Sequence, residues 1–352
     1  MSRVLVTGGA GFVGAHLVER LLLDGHEVIC LDNFETGTRT ALLHLREHPF
    51  LEIWRHDVRH PLPCQVDLIF HLACPASPAY YQQHPVLTLE TCMLGTQHVL
   101  QLARDAKARV LLASTSEVYG DPLNHPQQES DWGHVNPIGP RSSYDEGKRA
   151  AEALARAYWQ AHRVDVRIAR LFNCYGPGMR PNDGRVISNL MVQALKGDAL
   201  TLHGSGTHTR SFCYIKDVVE ALVRLMQLDS VDADGLPAWV DPVNLGNPDE
   251  ISILELAHRI LAITGSPSVI QHLPSAVDDP KKRCPDISRA MTLLDWCPTV
   301  SLNEGLGWTR DWFRAQTMPQ NVPPVYVDQE FKLYQQPTAP AARVAQDSSN
   351  PG

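Results

Sequence analysis

The sequence lacks the roughly 18 consecutive apolar residues that a transmembrane helix requires, so we expect no membrane span. Basic residues are in the minority, because 31 Lys and Arg stand against 39 Asp and Glu, for a net charge of −8. Nonspecific attraction to nucleic-acid phosphates is therefore not expected. An anionic ligand would have to be bound in a local basic pocket.

The sequence has no C-x-x-C pair among its eight cysteines. Several of them lie in apolar runs, where a free thiol behaves as a small hydrophobic group. The first residues also lack the charged segment, apolar run and cleavage site of an export signal. These absences predict a protein of the reducing cytoplasm, without structural disulfides.

The 352 residues suffice for about two domains. Short apolar runs rich in β-branched residues alternate with helical patterns through the first half, which predicts a doubly wound parallel sheet flanked by helices. The expected strands cover residues 4–7, 27–31, 66–72, 110–114 and 166–172. From about residue 177 onward, Gly- and Pro-bearing loops and shorter helices predict a smaller C-terminal α/β lobe that binds the substrate.

The first strand is followed by a glycine-rich turn that opens a helix, with Gly8, Gly11 and Gly14 spaced three apart around Phe12 and Val13. Such a turn lets backbone N–H groups and the helix N-terminus hold a pyrophosphate, which predicts a Rossmann-type dinucleotide site. Asp32, followed by Asn33, ends the second strand, where a carboxylate binds ribose hydroxyls. This carboxylate would repel the 2′-phosphate of NADP, so the sequence favours NAD. The alternative to a dinucleotide site is a glycine-rich turn in another kind of doubly wound protein.

Two further pairs are candidates for the cofactor site. Asp57 and Val58 could lie near the adenine, and Leu72 and Ala73 end the next predicted strand, beside the centre of the cofactor. A surface aspartate and a buried strand end explain these pairs equally well.

Tyr144 and Lys148 stand four residues apart, which places both side chains on one face of a helix. Ser143 and Glu146 have the spacing of a capping box at its start. A nearby ammonium lowers the pKa of a phenol, so Tyr144 is a candidate acid and base. Taken alone, this pattern is more typical of a solvated helix face, but its place after the dinucleotide turn and the fifth strand favours the catalytic interpretation.

The fifth predicted strand ends in Ala-Ser-Thr-Ser-Glu-Val-Tyr-Gly, residues 113–120. At these residues the chain resembles the extended short-chain dehydrogenases/reductases. The resemblance implies that Thr115 hydrogen-bonds the reacting oxygen and completes a triad with Tyr144 and Lys148.

Several segments narrow the resemblance to the UDP-glucuronate decarboxylases of that family. The segments that carry it are residues 71–78, 115–120, 132–141, 182–186, 204–206 with 209–210, and 278–283. The resemblance implies bound NAD and a UDP-glucuronate substrate, with oxidation at C4, loss of carbon dioxide and re-reduction to UDP-xylose. It leaves two alternatives open: release of the UDP-4-keto-pentose with NADH, and a family epimerase or dehydratase.

The same resemblance implies roles for residues beyond the triad. Glu117 is expected near the sugar carboxylate or the C5 proton, with Arg283 as its partner. The expected substrate-binding residues are Ser116, Asn173, Arg185, Arg210 and Tyr214. The chain departs from its relatives at Cys92, where an asparagine is usual, which weakens a hydrogen-bonding position.

The expected NAD domain covers residues 1–176, with a returning segment near 212–247. The substrate lobe covers 177–211 and 248–318, and a tail rich in Pro, Gln, Ala and Ser, 319–352, is not expected to fold. The resemblance also implies a homodimer. His44, Glu47 and His48 match an inverted zinc-protease motif, but no third ligand is suggested, so no metal site is expected.

Overall fold

A computed structural model describes residues 1–181, 183–275 and 278–317. Asn182, which belongs to one of the segments that carry the resemblance, and the tail 319–352 lie outside the described residues.

Strands and helices alternate along the chain. The strands are β1 (Arg3–Thr7), β2 (Glu27–Asp32), β3 (Leu51–Arg55), β4 (Leu68–His71), β5 (Arg109–Thr115), β6 (Val166–Leu171), β7 (Cys174–Tyr175), β8 (Leu200–His203), β9 (Thr209–Ser211), β10 (Cys213–Tyr214), β11 (Val243–Leu245), β12 (Glu250–Ser252), β13 (Ile270–Leu273) and β14 (Lys282–Arg283). The α-helices are α1 (Phe12–Leu23), α2 (Pro78–Gln83), α3 (Pro85–Glu90), α4 (Thr96–Ala106), α5 (Ser142–His162), α6 (Val186–Lys196), α7 (Ile215–Gln227), α8 (Ile253–Thr264), α9 (Ser288–Leu294) and α10 (Leu302–Thr317). A π-helical turn covers Thr91–Gly95, and 3₁₀ turns cover Arg39–Leu45 and Ser116–Tyr119.

The largest sheet has seven strands in the order β11-β6-β5-β4-β1-β2-β3. Each neighbouring pair is parallel. The predicted doubly wound parallel sheet is therefore confirmed. Because all seven strands run the same way, their carboxyl ends meet at one edge, where such folds bind ligands.

Hydrophobic residues cover both faces of this sheet. Val4 and Val6 on β1 belong to one buried cluster, which includes Leu17 of α1, while Leu5 between them belongs to a second cluster with Val99 of α4. Alternation along a strand with burial on both faces is what a sheet between two helical layers requires. Helix α1 ends as expected, because Gly25 after it adopts the left-handed φ of +80°.

Smaller sheets accompany the C-terminal helices. Three strands pair in the order β12-β9-β14, and β9 and β14 are parallel with Arg210 opposite Arg283. This register brings two predicted site arginines, 73 residues apart in the chain, onto neighbouring strands. Within the described residues, no helix has both the length and the apolar character that crossing a bilayer requires.

Helix α5 does not begin as the sequence predicts. Its N-cap is Arg141, whose carbonyl accepts hydrogen bonds from the N–H groups of Tyr144 and Asp145. The expected capping box is wrong, because the Ser143 hydroxyl is buried without a hydrogen-bond partner and the Glu146 carboxylate lies 3.4 Å from Arg149 Nε. The helix itself extends through Lys148, as predicted.

Candidate active site

The glycine turn after β1 is packed too closely for side chains. Gly8 has a left-handed φ of +70°, and a Cβ there would lie 2.9 Å from the backbone of Ala73. A Cβ on Gly14 would lie 2.1 Å from the carbonyl oxygen of Gly8. The N-terminus of α1 therefore faces a bare backbone cradle, the geometry that binds phosphate.

A cavity of about 440 Å³ opens at this turn. Most residues predicted to bind the cofactor line it: Gly8, Gly11, Phe12, Val13, Gly14, Asp32, Asn33, Val58, Leu72 and Ala73. Asp57 does not line the cavity itself, but it accepts a hydrogen bond at 3.2 Å from Nδ2 of Asn33, which does. Although burial acts in the opposite direction, hydrogen bonds from Arg59 lower the pKa of Asp57 to about 2.

Asp32 is fixed by backbone donors at the carboxyl end of β2. Its two carboxylate oxygens accept hydrogen bonds from the N–H groups of Ala10 at 3.0 Å and Phe34 at 2.8 Å. Burial raises the pKa of Asp32, and these two hydrogen bonds oppose that rise. The carboxylate is thus held in one orientation on the wall of the cavity.

Tyr144, Lys148 and Thr115 meet at the carboxyl end of β5. All three are buried, and the Thr115 hydroxyl lies close enough to the Tyr144 phenol to lower its pKa. Lys148 Nζ donates to the Ala113 carbonyl at 2.8 Å and lies 6.0 Å from the centre of the Tyr144 ring. The structure therefore brings the three predicted catalytic side chains together.

The pKa of Tyr144 is shifted in the direction opposite to our expectation. Burial, and then the neighbouring thiol of Cys74, raise it well above its ordinary value, against a lowering by Thr115. The phenol of Tyr144 is accordingly protonated in this state of the protein.

Glu117 lies between two arginines. Its Oε1 accepts a hydrogen bond from Arg283 Nη1, and its Oε2 accepts one from Arg141 Nη2 at 2.7 Å. Burial acts to raise the pKa of Glu117, but Arg283 and Arg141 lower it to about 2. The predicted pair of Glu117 and Arg283 is therefore in contact, and both carboxylate oxygens are engaged.

Other charged groups surround this pair. Asp145 Oδ2 lies 3.9 Å from Arg141 Nε, and burial, reinforced by the charge of Glu117, raises the pKa of Asp145 to about 7. Arg210 Nη2 donates to Asp279 Oδ2 at 3.0 Å. Carboxylates and guanidinium groups thus alternate across the site.

The remaining predicted substrate residues have different surroundings. Ser116 is buried in the turn after β5, and Asn173 Nδ2 donates to the Ser211 carbonyl at 3.3 Å. Arg185 lines the cavity of the glycine turn, with its Nε 3.2 Å from Asp183 Oδ2, so it lies beside the expected cofactor. Tyr214 packs in an aromatic cluster, 5.1 Å from the ring centre of Trp308.

Sequence reasoning missed residues that the structure brings to the site. Arg141 is the second partner of Glu117, and Tyr81 stacks on Tyr144 with ring centres 5.1 Å apart. Arg141 belongs to one of the segments that carry the family resemblance, which was the only signal for it. Nothing in the local pattern around Tyr81 points to Tyr144, 63 residues later.

The histidines of the inverted zinc-protease motif have other partners. His44 Nε2 lies 3.6 Å from Glu19 Oε1, and His48 Nδ1 accepts a hydrogen bond from the Phe50 N–H. Over residues 1–181, 183–275 and 278–317, no three His, Cys, Asp or Glu side chains are grouped to hold a metal ion.

The glycine cradle and the Tyr144 site agree with what comparison with known proteins finds. The model of the NAD dependent epimerase/dehydratase family matches residues 4–236. The chain belongs to this family. The match covers every residue predicted to bind the cofactor. It also covers four of the predicted catalytic residues, Thr115, Glu117, Tyr144 and Lys148.

Curated relatives narrow the comparison further. UDP-glucuronic acid decarboxylase 1 of Danio rerio is 53% identical over 314 residues, which cover 89% of this chain and 73% of that protein. UDP-glucuronic acid decarboxylase 6 of Arabidopsis thaliana is 51% identical over 315 residues, 89% of both chains. The resemblance to these decarboxylases is therefore confirmed.

A solved structure gives the same picture of the fold. UDP-glucuronic acid 4-epimerase from Bacillus cereus, in complex with UDP-glucuronic acid and NAD, superposes with a TM-score of 0.78. It is 28% identical, and the match covers 89% of this chain and 99% of the epimerase. The Rossmann-type architecture predicted from the sequence is shared with this family member.

Proposed function

We propose that this protein converts UDP-glucuronate to UDP-xylose, with NAD as a recycled cofactor. The carrying observation is the contact of Glu117 with Arg283 and Arg141 beside Tyr144, in a chain about half identical to UDP-glucuronic acid decarboxylases. Release of the UDP-4-keto-pentose with NADH is the alternative that shares all but the last step.

The cradle at the glycine turn fits a dinucleotide. Gly8 and Gly14 leave space that a Cβ would fill, α1 directs its N-terminus there, and Asp32 is oriented for ribose hydroxyls. When bound, NAD accepts a hydride from C4 of the sugar and returns it after decarboxylation. The carboxylate of Asp32 would repel a 2′-phosphate, which supports NAD over NADP.

Tyr144 is the proposed acid and base at the C4 oxygen. It takes the hydroxyl proton as C4 is oxidised and gives it back on reduction, while Thr115 hydrogen-bonds the same oxygen. Removing this proton requires the phenolate, so Lys148 has to lower the pKa of Tyr144 when substrate is present. The buried phenol is well suited to the middle step, because a protonated Tyr144 stabilises an enolate oxygen at C4.

The ketone at C4 makes loss of the C6 carboxylate feasible, since the remaining electrons delocalise onto the C4 oxygen. Glu117 and Arg283 are the proposed groups beside that carboxylate and the C5 carbon that is then protonated. Arg210 and Arg185 are proposed to bind phosphates, since arginine suits bidentate contacts to such anions. Ser116 and Asn173 are proposed to hydrogen-bond the sugar, and Tyr214 to support this wall by packing.

Mass spectrometry of the products from UDP-glucuronate and catalytic NAD tests the proposal. We expect a UDP-pentose without accumulation of NADH, and no product from the Tyr144→Phe variant. A UDP-4-keto-pentose with stoichiometric NADH would support the alternative. A nucleotide sugar of unchanged mass that elutes as a new epimer would replace decarboxylation with epimerisation.

We also propose a cytoplasmic homodimer. All eight cysteines are free thiols, which supports a reducing compartment. Val86 and Leu89 on α3 and Leu94 in the following turn are 70%, 41% and 41% exposed, which supports an apolar contact with a second copy. Light scattering should give twice the monomer mass, and Val86→Glu should reduce it to the monomer value.

We assign the cofactor to residues 1–176 with the returning segment 212–247, and the substrate lobe to 177–211 and 248–318. The pairing of β11 with β6 supports the return of the chain to the large sheet.

A further inference from the structure

Two cysteines form a close thiol pair beside the candidate catalytic residues. Cys74 Sγ and Cys92 Sγ lie 3.1 Å apart, although the residues are 18 positions apart in the chain. Cys74 follows the carboxyl end of β4, and Cys92 lies in the π-helical turn before α4. The proposed reaction assigns no role to either thiol.

Access to the pair is asymmetric. Cys74 is partly exposed and lines the cavity of the glycine turn, a cleft that a small solute can enter. Cys92 is 2% exposed and packs against α5, where a Cβ on Gly147 would lie 3.0 Å from its sulfur. An oxidant would therefore attack Cys74 first and leave Cys92 to resolve the product.

The surroundings also activate Cys74. Although burial acts to raise it, the hydrogen bond with Cys92 and the positive charge of Lys148 bring the pKa of the Cys74 thiol below its ordinary value. The pKa of Cys92 is raised by the same hydrogen bond and by burial. A thiol of lowered pKa in contact with a second thiol of raised pKa is the arrangement that redox-active cysteine pairs use.

We propose that Cys74 and Cys92 are a modification site, at which a peroxide oxidises the two thiols to a disulfide that inactivates the enzyme. The Cys74 thiolate attacks hydrogen peroxide to form a sulfenic acid and hydroxide, and the Cys92 thiol then displaces water. In total, two thiols and one hydrogen peroxide give one disulfide and two waters. A reducing dithiol reverses the change by exchange.

The disulfide would disturb the catalytic geometry. Its S–S bond length is about 2.05 Å, so the sulfurs must approach by about 1 Å from their separation of 3.1 Å. Cys92 packs on Gly147, between Tyr144 and Lys148 on α5, and Cys74 is electrostatically coupled to Tyr144. A closure that is passed on to Tyr144 or Lys148 as a displacement of about 1 Å lowers the rate about 100-fold, which is the loss we expect.

Peptide analysis after peroxide treatment tests the site directly. Trypsin leaves Cys64, Cys74 and Cys92 together in residues 60–104, so a second protease that cuts after both Asp67 and Glu90 is needed to place the three in separate peptides. We expect whole protein lighter by two hydrogens and a cross-link between the peptides of Cys74 and Cys92. Cross-links elsewhere, for example between Cys174 and Cys213 on paired strands, would overturn the proposal.

Matched variants connect the bond to activity. Cys64→Ser should lose about 100-fold in turnover with peroxide and recover with dithiothreitol, like the parent protein, because Cys64 is not part of the pair. Cys92→Ser should form no cross-link, because its Cys74 sulfenic acid has no resolving thiol, and it should not show the reversible loss that depends on the disulfide. Equal reversible inactivation of Cys92→Ser and the parent would refute the proposal. If Cys92→Ser does not fold, the cross-link in the parent and in Cys64→Ser decides the question.

Discussion

Asp145 provides a direct test of the electrostatics of the site. It is 4% exposed, its Oδ1 has no hydrogen-bond partner among the described residues, and the nearest cation is Arg141, 3.9 Å from its other oxygen. Burial and the charge of Glu117 raise the pKa of Asp145 to about 7. The Asp145→Asn substitution keeps the shape of the side chain and removes its ionisation.

The size of the effect follows from proton linkage. The pKa of Asp145 rises from 3.8, its ordinary value, to about 7 in the folded protein, so between these values the folded form binds one proton more than the unfolded form. The free energy of unfolding then falls by about 1.4 kcal/mol for each pH unit as the pH rises. Between about pH 5 and about pH 7, the ionisation of Asp145 should lower the free energy of unfolding by about 3 kcal/mol. Above about pH 7 the group is ionised in both forms, and its contribution no longer changes with pH.

Guanidinium chloride unfolding at about pH 5 and about pH 8, with NAD held at one concentration, measures this loss. The change in the free energy of unfolding between the two pH values should be smaller by about 3 kcal/mol for Asp145→Asn than for the parent. The variant should therefore be the more stable protein at the higher pH. Asp105→Asn is the matched control, because Asp105 is exposed and should leave the pH dependence unchanged. An Asp145→Asn variant with the same pH dependence as the parent would refute the reasoning.

Three further substitutions test the proposed roles. Lys148→Met removes the cation that lies 6.0 Å from the centre of the Tyr144 ring, so the acid limb of the kcat/KM profile should move to higher pH. Gly14→Ala places a Cβ 2.1 Å from a backbone oxygen, so NAD affinity measured by calorimetry should fall at least about tenfold while the circular dichroism is retained. Arg141→Gln leaves Glu117 with one arginine, so kcat with UDP-glucuronate should fall at least about tenfold, and Arg141→Lys should recover part of it.

Local patterns predicted the parts of the site that depend on one segment. The glycine turn joins a strand to a helix within seven residues, and its spacing encodes the close approach of backbone atoms at Gly8 and Gly14. The separation of Tyr144 and Lys148 likewise needs only a helix to bring the two side chains to one face. Such features follow from covalent geometry and could be read without knowledge of the tertiary fold.

The features that were missed depend on contacts between distant segments. Arg141 reaches Glu117 across 24 positions and was missed, because only tertiary packing brings it to this carboxylate. The contact of Arg283 with Glu117 spans 166 positions and was expected from the family resemblance alone. The raised pKa of Tyr144 depends on its burial, to which the stacked ring of Tyr81 contributes, and on the neighbouring Cys74. An isolated helix would show no such shift in pKa. The predicted capping box of α5 was also wrong. The helix begins after Arg141, whose carbonyl accepts the first helical hydrogen bonds, so Ser143 is not the N-cap.

The alternation of charge explains how an acidic protein can bind the proposed substrate. Glu117 forms ion pairs with both Arg141 and Arg283 and balances one of their two positive charges, so a sugar carboxylate that enters has to share these guanidinium groups with a buried anion. Two carboxylates at one pair of arginines repel each other, and this repulsion is stronger away from water. Loss of carbon dioxide removes one of the two charges, and the electrons it leaves behind move to the C4 oxygen, beside the protonated Tyr144. The electrostatics of the proposed site therefore favour decarboxylation in two places, at the C6 carboxylate beside Glu117 and at the C4 oxygen beside Tyr144. Glu117 contributes through its negative charge as well as through its position.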